Sequence, residues 1–359
     1  MDIIKRFKTA VRFLYDFLCN PASHTYYPQA EHKSGLRIVF DNFWWLIRYR
    51  EINHFYYMYG LDRKGASLAG YLPKKPFCRL RDKINARAKI GGRIANYNCL
   101  VQDKFIFGKL LKCLGFPTPE IIALCDNNSI FWFDKNKAEP FDSLLGHDKL
   151  DVFIKEILGE RAEGVFHLYV DRSKLYLDGK ESTVADLQRI IADNKFIIQQ
   201  RIIQHQKMSE LYPGSVNTIR FITALKAGRP IPLAAMVRLG ASGCRCDNLA
   251  IGGVAVGINL DTGTLFPEGV FKPGFGGRCN CHPDTKVKFE NFQIPYFKQA
   301  VDLALKLHGF FYGTHSVGWD IAITFYGPMF IEGNNSWEIP TLQFFDRDLQ
   351  KKYFATLTS

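Results

Sequence analysis

From about residue 100 onward, apolar residues recur at every second position in short runs separated by turn residues. Alternation of that period predicts strands, because successive side chains point to opposite faces. The runs are Ile121–Leu124, Val152–Lys155, Gly164–Val170, Lys174–Leu177, Phe196–Ile203, Asn217–Leu225, Leu233–Leu239 and Val254–Asn259, with a final pair around 319–334. Helical spacing interrupts them at Gln102–Leu114, which Gly115 and Phe116-Pro117-Thr118-Pro119 close, and at 182–193 and 293–308. Before residue 100 the pattern is helical. Ile4, Phe7, Val11, Leu14 and Leu18 form a stripe bordered by Lys5, Arg6, Lys8 and Arg12. Residues 36–60 read as an aromatic-rich buried helix, and 78–95 as a basic helix ended by Gly91-Gly92. The fold class is therefore α+β, a mixed α/β architecture, with a basic, mainly helical segment over 1–100 ahead of a strand-rich region over 101–359.

Composition narrows the setting. Hydrophobic residues at 47% and charged residues at 23% fit a packed core rather than a disordered chain. Nine cysteines, odd in number and irregular in spacing, argue against a disulfide framework and for a reduced, cytoplasmic compartment. The first 18 residues are too charged for a signal peptide. Leu36 to Tyr59, the nearest approach to a membrane span, is broken by Arg37, Asp41, Arg48, Arg50 and Glu51.

Charge changes the picture more. Residues 1–100 hold 18 Lys and Arg against 7 Asp and Glu, so nearly all of the +12 net charge lies there. Such a segment suits an acidic partner: an anionic membrane surface, a nucleic acid or a phosphorylated substrate. No nucleic-acid-binding motif accompanies it, which sets nucleic acid aside. The stripe over residues 1–20 either packs on its own domain or lies on the inner membrane face, making the protein peripheral there.

The chemistry concentrates at the end of the strand region. Gly318-Trp319-Asp320-Ile321-Ala322-Ile323-Thr324 and Met329-Phe330-Ile331-Glu332-Gly333-Asn334 flank Phe325-Tyr326-Gly327-Pro328, a turn signal. A turn centred near Tyr326 sets Asp320 opposite Glu332 and Gly318 opposite Asn334, all on one sheet face. Gly318 then leaves room for a bulky ligand, while Ile321, Ile323 and Ile331 face a core. Two carboxylates and an amide gathered this way either hold a hard cation such as magnesium or form an acidic, solvated face.

That hairpin resembles the metal-binding end of the ATP-grasp superfamily, and other segments match it in order. Asp103-Lys104 with Leu114-Gly115-Phe116-Pro117-Thr118-Pro119 is similar to the start of that fold. Val152-Phe153-Ile154-Lys155 with Gly164-Val165 resembles the strand whose lysine reaches nucleotide phosphates, and Phe196 to Ile202 the strand and hinge that adenine stacks against. Gln204-His205 with Leu211 to Arg220, Asp247-Asn248 with Gly252-Gly253, His282-Pro283-Asp284-Thr285 and the Gly-Trp-Asp strand resemble the sugar-transfer-associated ATP-grasp family. The loop Glu156–Gly164 departs from the superfamily's glycine-rich phosphate cover, with two glycines and Arg161 instead.

The resemblance implies an ATP-grasp fold, with a nucleotide-gripping subdomain over about 120–205 and a metal-binding one over about 206–345. It implies ATP and Mg2+ as cofactors. Lys104, Lys155, Arg161, Gln199, Gln200, Arg201, Ile202, Gln204 and His205 would meet the nucleotide, and Asp320, Glu332 and Asn334 the metal. Arg220 and Arg238 either clamp phosphate or form structural ion pairs. Asn217 either orients phosphate or caps the turn after Tyr212-Pro213-Gly214. Asp247, Asn248 and His282 belong to substrate-loop candidates. Cys244, Cys246, Cys279 and Cys281 either bind zinc or are reduced loop cysteines. The implied activity is a carboxylate–amine ligase acting through an acyl phosphate on a cell-surface, lipid-linked sugar or its precursor. The alternatives are a kinase on the same fold and a non-catalytic basic protein binding membrane or nucleic acid.

Overall fold

The computed structural model describes residues 24–86, 88–90, 93–126, 129–159, 164–191 and 194–358. The stripe from Ile4 to Leu18 and Arg161 lie outside the described residues.

Two antiparallel sheets dominate. A small hairpin, β1 (Ala88–Ile90) and β2 (Arg93–Ala95), precedes them. The first sheet contains β3 (Ile121–Cys125), β4 (Ile130–Trp132), β5 (Lys137–Glu139), β6 (Lys149–Glu156), β7 (Val165–Asp171), β8 (Lys174–Leu177), β9 (Lys180–Ser182) and β10 (Phe196–Gln200), in the order β5-β4-β3-β10-β6-β7-β8-β9. The second contains β11 (Thr218–Lys226), β12 (Arg229–Leu239), β13 (Val254–Ile258), β14 (Leu265–Phe271), β15 (Arg278–Cys279), β16 (Ser316–Thr324) and β17 (Gly327–Asn334), in the order β15-β14-β13-β12-β11-β16-β17.

Alternation along the strands decides what each sheet face carries. In the first sheet, Val152, Ile154, Leu168, Val170 and Ile198 enter a core closed by Phe141, Leu144, Leu187 and Ile191. Their neighbours Phe153, Lys155, His167, Tyr169 and Gln199 line a cavity instead. One face of the second sheet buries Ile219, Phe221, Val237, Trp319, Ile321 and Phe330. Phe107 and Leu111 of the helix Lys104–Cys113 cover it, with Ala300, Ala304 and Leu307 of the helix Phe297–Phe310. Asp103 opens the first of these helices by accepting from the Ile106 amide at 2.8 Å, so the helix begins at residue 104 rather than 102.

The opposite face of the second sheet has two tenants. Ile222, Ala224, Leu233, Ala234 and Met236 pack under Tyr56, Tyr57, Tyr59, Tyr71, Phe77, Trp337 and Tyr353. Tyr59 Oη donates to the Pro340 carbonyl at 3.2 Å, and Gln343 Nε2 donates to Tyr59 Oη at 2.7 Å. Residues from Tyr26 to Phe77 thus share one core with the second sheet. The remaining strip of that face is charged and opens into the cavity.

Two helical expectations are corrected. The helix expected over 36–60 runs only over Gly35–Tyr49, where Arg50 takes a left-handed φ of 53°, and Tyr56 to Tyr59 are buried in turns. The helix expected over 78–95 spans Lys74–Asn85. It stops where Asn85 turns its amide into the backbone of Ser316 and Asn335, and β1 and β2 follow.

Candidate active site

The final hairpin fixes the site. From its turn, Thr324 pairs Gly327, Ile323 pairs Pro328, Ala322 pairs Met329 and Ile321 pairs Phe330. One unpaired residue, Ile331, then intervenes before Asp320 meets Glu332 and Gly318 meets Asn334. Without that bulge Ile331 would stand opposite Asp320. The bulge sends Phe330 into the core and leaves Ile331 lining the cavity, a correction to its expected core position. Gly318 does not make room for a ligand either. A Cβ there would stand 3.0 Å from Ile222 Cδ1 and from Trp337 Cβ, and 3.3 Å from Arg220 Cδ.

Around the hairpin the strand register assembles a charged cluster. Arg220 pairs with Asp320 across β11 and β16, and Arg238 pairs with Thr218 across β11 and β12. Arg220 grips Asp320 with two bonds, Nε to Oδ1 at 2.5 Å and Nη2 to Oδ2 at 3.0 Å. Arg238 adds a third from Nη2 to Oδ2 at 2.9 Å. Arg238 also donates to Thr218 Oγ1 at 3.1 and 2.7 Å and approaches Asp247 Oδ2 at 3.4 Å. Asp247 accepts from the Thr218 amide at 3.1 Å and from its hydroxyl.

Burial alone would raise the pKa of Asp320, but Arg220 and Arg238 hold it down at about 2. Glu332 moves the other way. Burial and the neighbouring Asp320 charge raise its pKa above the ordinary carboxylate value, against opposing pulls from Lys104 and Arg220. Asn334 Nδ2 donates to Glu332 Oε1 at 3.2 Å. Burial would lower the pKa of Arg238, yet Asp247, Asp320 and Glu332 raise it.

The first sheet supplies the facing wall of a cavity of about 1810 Å³. Lys155 donates to Gln199 Oε1 at 2.8 Å, and Gln199 Nε2 donates to the Pro119 carbonyl at 3.3 Å. Burial lowers the Lys155 pKa to about 8, with Glu332 pulling it up and Lys104 pushing it down. Lys104 Nζ bonds the Gly159 carbonyl. Gln200, Arg201 and Ile202 line the same cavity, Arg201 held by Asp151 at 2.7 Å. Lys104, Lys155, Gln199, Gln200, Arg201, Ile202, Arg220, Arg238, Asp247, Asp320, Glu332 and Asn334 are therefore gathered about one space.

Other predicted residues are placed differently. Gln204 touches the cavity, but its amide donates to the Tyr212 and Ser215 carbonyls and accepts from the Asn217 amide. Asn217 is fully buried, its Nδ2 donating to the Met208 and Tyr212 carbonyls at 2.8 and 2.7 Å. Of its two expected roles the geometry serves the turn. His205 caps the helix Gln206–Leu211 through Nδ1. His282 is buried away from the cavity, with Nε2 at 2.8 Å from the Gly240 carbonyl and Nδ1 accepting from the Asp284 and Thr285 amides. Asn248 lines the cavity and accepts from the Ala250 amide. Among the described residues no three His, Cys, Asp or Glu side chains, those of Cys244, Cys246, Cys279 and Cys281 included, are grouped to hold a metal.

Sequence reasoning missed the far wall. Lys74, Lys75, Cys78, Arg81 and Asp82 of the helix Lys74–Asn85 line the cavity, as do Lys272 and Glu338. Lys74 and Lys272 reach Glu338 at 2.8 and 3.7 Å. Their basic helix was visible as a charge run, but nothing in its spacing tied it to residues some 240 positions away.

The profile of the sugar-transfer-associated ATP-grasp family matches residues 89–352. No curated protein matches the chain. Among solved structures, N5-carboxyaminoimidazole synthase from Aspergillus clavatus, in complex with ADP and 5-aminoimidazole ribonucleotide, is 12% identical with a TM-score of 0.38. The alignment covers 66% of this chain and 45% of that one, so this chain spans less than half of that relative's length. D-alanine–D-alanine ligase from Bacillus anthracis is 14% identical with a TM-score of 0.39, covering 74% of this chain and 67% of that one. VanG D-Ala:D-Ser ligase from Enterococcus faecalis is 12% identical with a TM-score of 0.40, covering 71% and 61%.

Proposed function

The chain belongs to the sugar-transfer-associated ATP-grasp family, and from that premise we propose that it is an ATP- and magnesium-dependent ligase joining a carboxylate to an amine. The observation that carries this reading is one sheet face on which Asp320, Glu332 and Asn334 stand beside Arg220 and Arg238, with Lys155 on the facing wall. The donor set fits magnesium. All of its ligating atoms are hard oxygens. Burial and then the Asp320 charge raise the pKa of Glu332, and a divalent cation held by the two carboxylates would offset both. When bound, MgATP supplies the phosphoryl group and neutralises phosphate charge.

The chain's own residues do the remainder. Lys104 and Lys155 bring positive charge to the phosphates, and bound phosphate would in turn favour the charged form of Lys155 that burial disfavours. Gln199 to Ile202 offer a strand end and hinge for the base. Arg220 and Arg238, whose Nε and Nη2 groups are engaged by Asp320 and Thr218, would offer positive charge and their remaining N–H groups to the transferring group and to the acyl phosphate. A substrate carboxylate oxygen attacks the γ-phosphorus and ADP leaves. The amine nitrogen then attacks the acyl carbon, phosphate leaves and the nitrogen gives up a proton. The basic wall of Lys74, Lys75, Arg81 and Lys272 suits an acidic acceptor, such as a lipid-linked precursor of a surface polysaccharide handled in the cytoplasm.

Hydroxylamine trapping tests the reaction class. With the true carboxylate, MgATP and hydroxylamine in place of the amine, the ligase reading expects ADP and a hydroxamate in equal amounts. A phosphorylated product, formed without an amine and without hydroxamate, would overturn it in favour of the kinase.

A further inference from the structure

The helix Gly35–Tyr49 is turned inside out. Its buried residues are Ile38, Asp41, Asn42 and Trp45, two of the four polar. Asp41 is held by Lys33 at 2.7 Å, by Tyr56 Oη at 3.0 Å and by Arg37 at 3.1 Å, and Asn42 Nδ2 donates to the Ile38 carbonyl. These bonds pin the polar stripe inward and so fix which side faces out. Between residues 36 and 48 nine positions are exposed: Arg37, Arg48 and seven large hydrophobics. Leu36 is 86% exposed, Ile47 65%, Phe43 58% and Phe40 56%, with Val39, Trp44 and Leu46 beside them.

At 100° per residue those seven fall on one continuous side, centred opposite the buried four. Arg37 and Arg48 mark one border, next to Trp44, and Arg50 follows at the helix end. No acidic residue is exposed on the helix. An apolar patch this broad with a basic rim marks an interaction surface.

We propose that this outward face docks on an anionic lipid surface, lying along it. Charge selects that occupant. The rim is basic, and the first 100 residues carry 18 Lys and Arg against 7 Asp and Glu. An aromatic-rich apolar face bordered by arginine matches the boundary between headgroups and acyl chains. The helix lies on the surface rather than through it. Its 15 residues span roughly 22 Å against the ~30 Å of a hydrocarbon core. Among the described residues no helix is long and apolar enough to cross a membrane. The inference is independent of the ligase reading, because none of these side chains lines the cavity.

Co-sedimentation of the full chain decides it, with vesicles containing roughly one-third phosphatidylglycerol and with phosphatidylcholine vesicles alone. The chain pellets with the anionic vesicles. The variant Phe40→Ser/Phe43→Ser/Ile47→Ser pellets at least about tenfold less with an unchanged melting point, since the replaced side chains are exposed. Phe43→Ser alone keeps the comparison if the triple variant melts lower. Equal pelleting of parent and variants overturns the proposal, as does no pelleting of the parent. Loss of binding only when residues 1–23 are removed overturns it too, by placing the anchor there. A stable dimer that Phe43→Ser splits assigns the face to a second copy instead.

Discussion

Asp320 carries two loads that the sequence shows as one. Its spacing from Glu332 marks it as a ligand, while its hold on Arg220 and Arg238 depends on neighbours 100 and 82 residues away. Asp320→Asn leaves two partly buried guanidiniums undercompensated, and urea unfolding is expected to show a loss of about 2 kcal/mol. Glu332→Gln differs. An amide there removes a carboxylate that burial and Asp320 already disfavour, so melting is unchanged or higher while ADP release falls at least about a hundredfold. Lys155 was legible as a charge closing an apolar strand, and its environment adds a pH dependence. Its pKa is about 8 in the fold, against an ordinary value of 10.5. Between those values the unfolded chain holds a proton that the folded one lacks, so stability from this group rises with pH across that window. Affinity for a non-hydrolysable ATP analogue with magnesium runs the opposite way, falling above about pH 8 as the charge is lost. Calorimetry at pH 6.5 and 9 should show the fall in the parent and a uniformly weak, flat response in Lys155→Met. Asn217 and His282 look like chemistry in a sequence because buried amides and imidazoles that tie down loops use the same residue types as those that hold ligands.

Many strand positions were readable from period-2 alternation, and Lys174–Leu177 appears with the predicted ends, but β1, β2, β4, β5, β9, β14 and β15 were not among the expected runs. The bulge at Ile331 was not readable either, because no residue type announces an extra residue in a strand. The helix Lys74–Asn85 shows a second gap. Its basic run suggested continuation through residue 95, but its end is set by Asn85, which donates to the Ser316 and Asn335 carbonyls at 3.0 and 2.9 Å and accepts from the Ser316 amide at 3.0 Å. Those partners are the start of β16 and the residue just after β17, so the helix braces the carboxylate hairpin at its open end, opposite the turn. Asn85→Ala leaves buried backbone groups unpaired, and a loss of about 2 kcal/mol in urea unfolding is expected. Reduced turnover at temperatures well below the melt should accompany it, whereas a purely structural brace would leave turnover unchanged there.

Across the whole molecule, the shift in composition near residue 100 sets off a basic, mainly helical segment, and its residues from Tyr26 to Phe77 pack in one core with the second sheet. Periodicity reports which side of an element is apolar, not which partner covers it. The cover of Ile222, Ala224, Leu233 and Met236 is supplied by Tyr56, Tyr59, Tyr71 and Phe77. A chain beginning at residue 89, where the family match starts, should therefore be insoluble or bind a hydrophobic dye strongly, and lack a cooperative melt. A soluble, cooperatively melting fragment would show that the cover is dispensable. The same arrangement has a consequence in time. Tyr59 bonds Pro340 and Gln343, and Asn85 bonds Ser316 and Asn335, across 231 to 284 residues. Contacts of such long range close late and slowly. During synthesis Tyr56, Tyr59, Tyr71 and Phe77 emerge uncovered, and wait for β11 and β12 and then for Trp337 and Tyr353. Chaperone dependence should peak in that interval, and catalytic competence should arrive only once β16 and β17 have emerged.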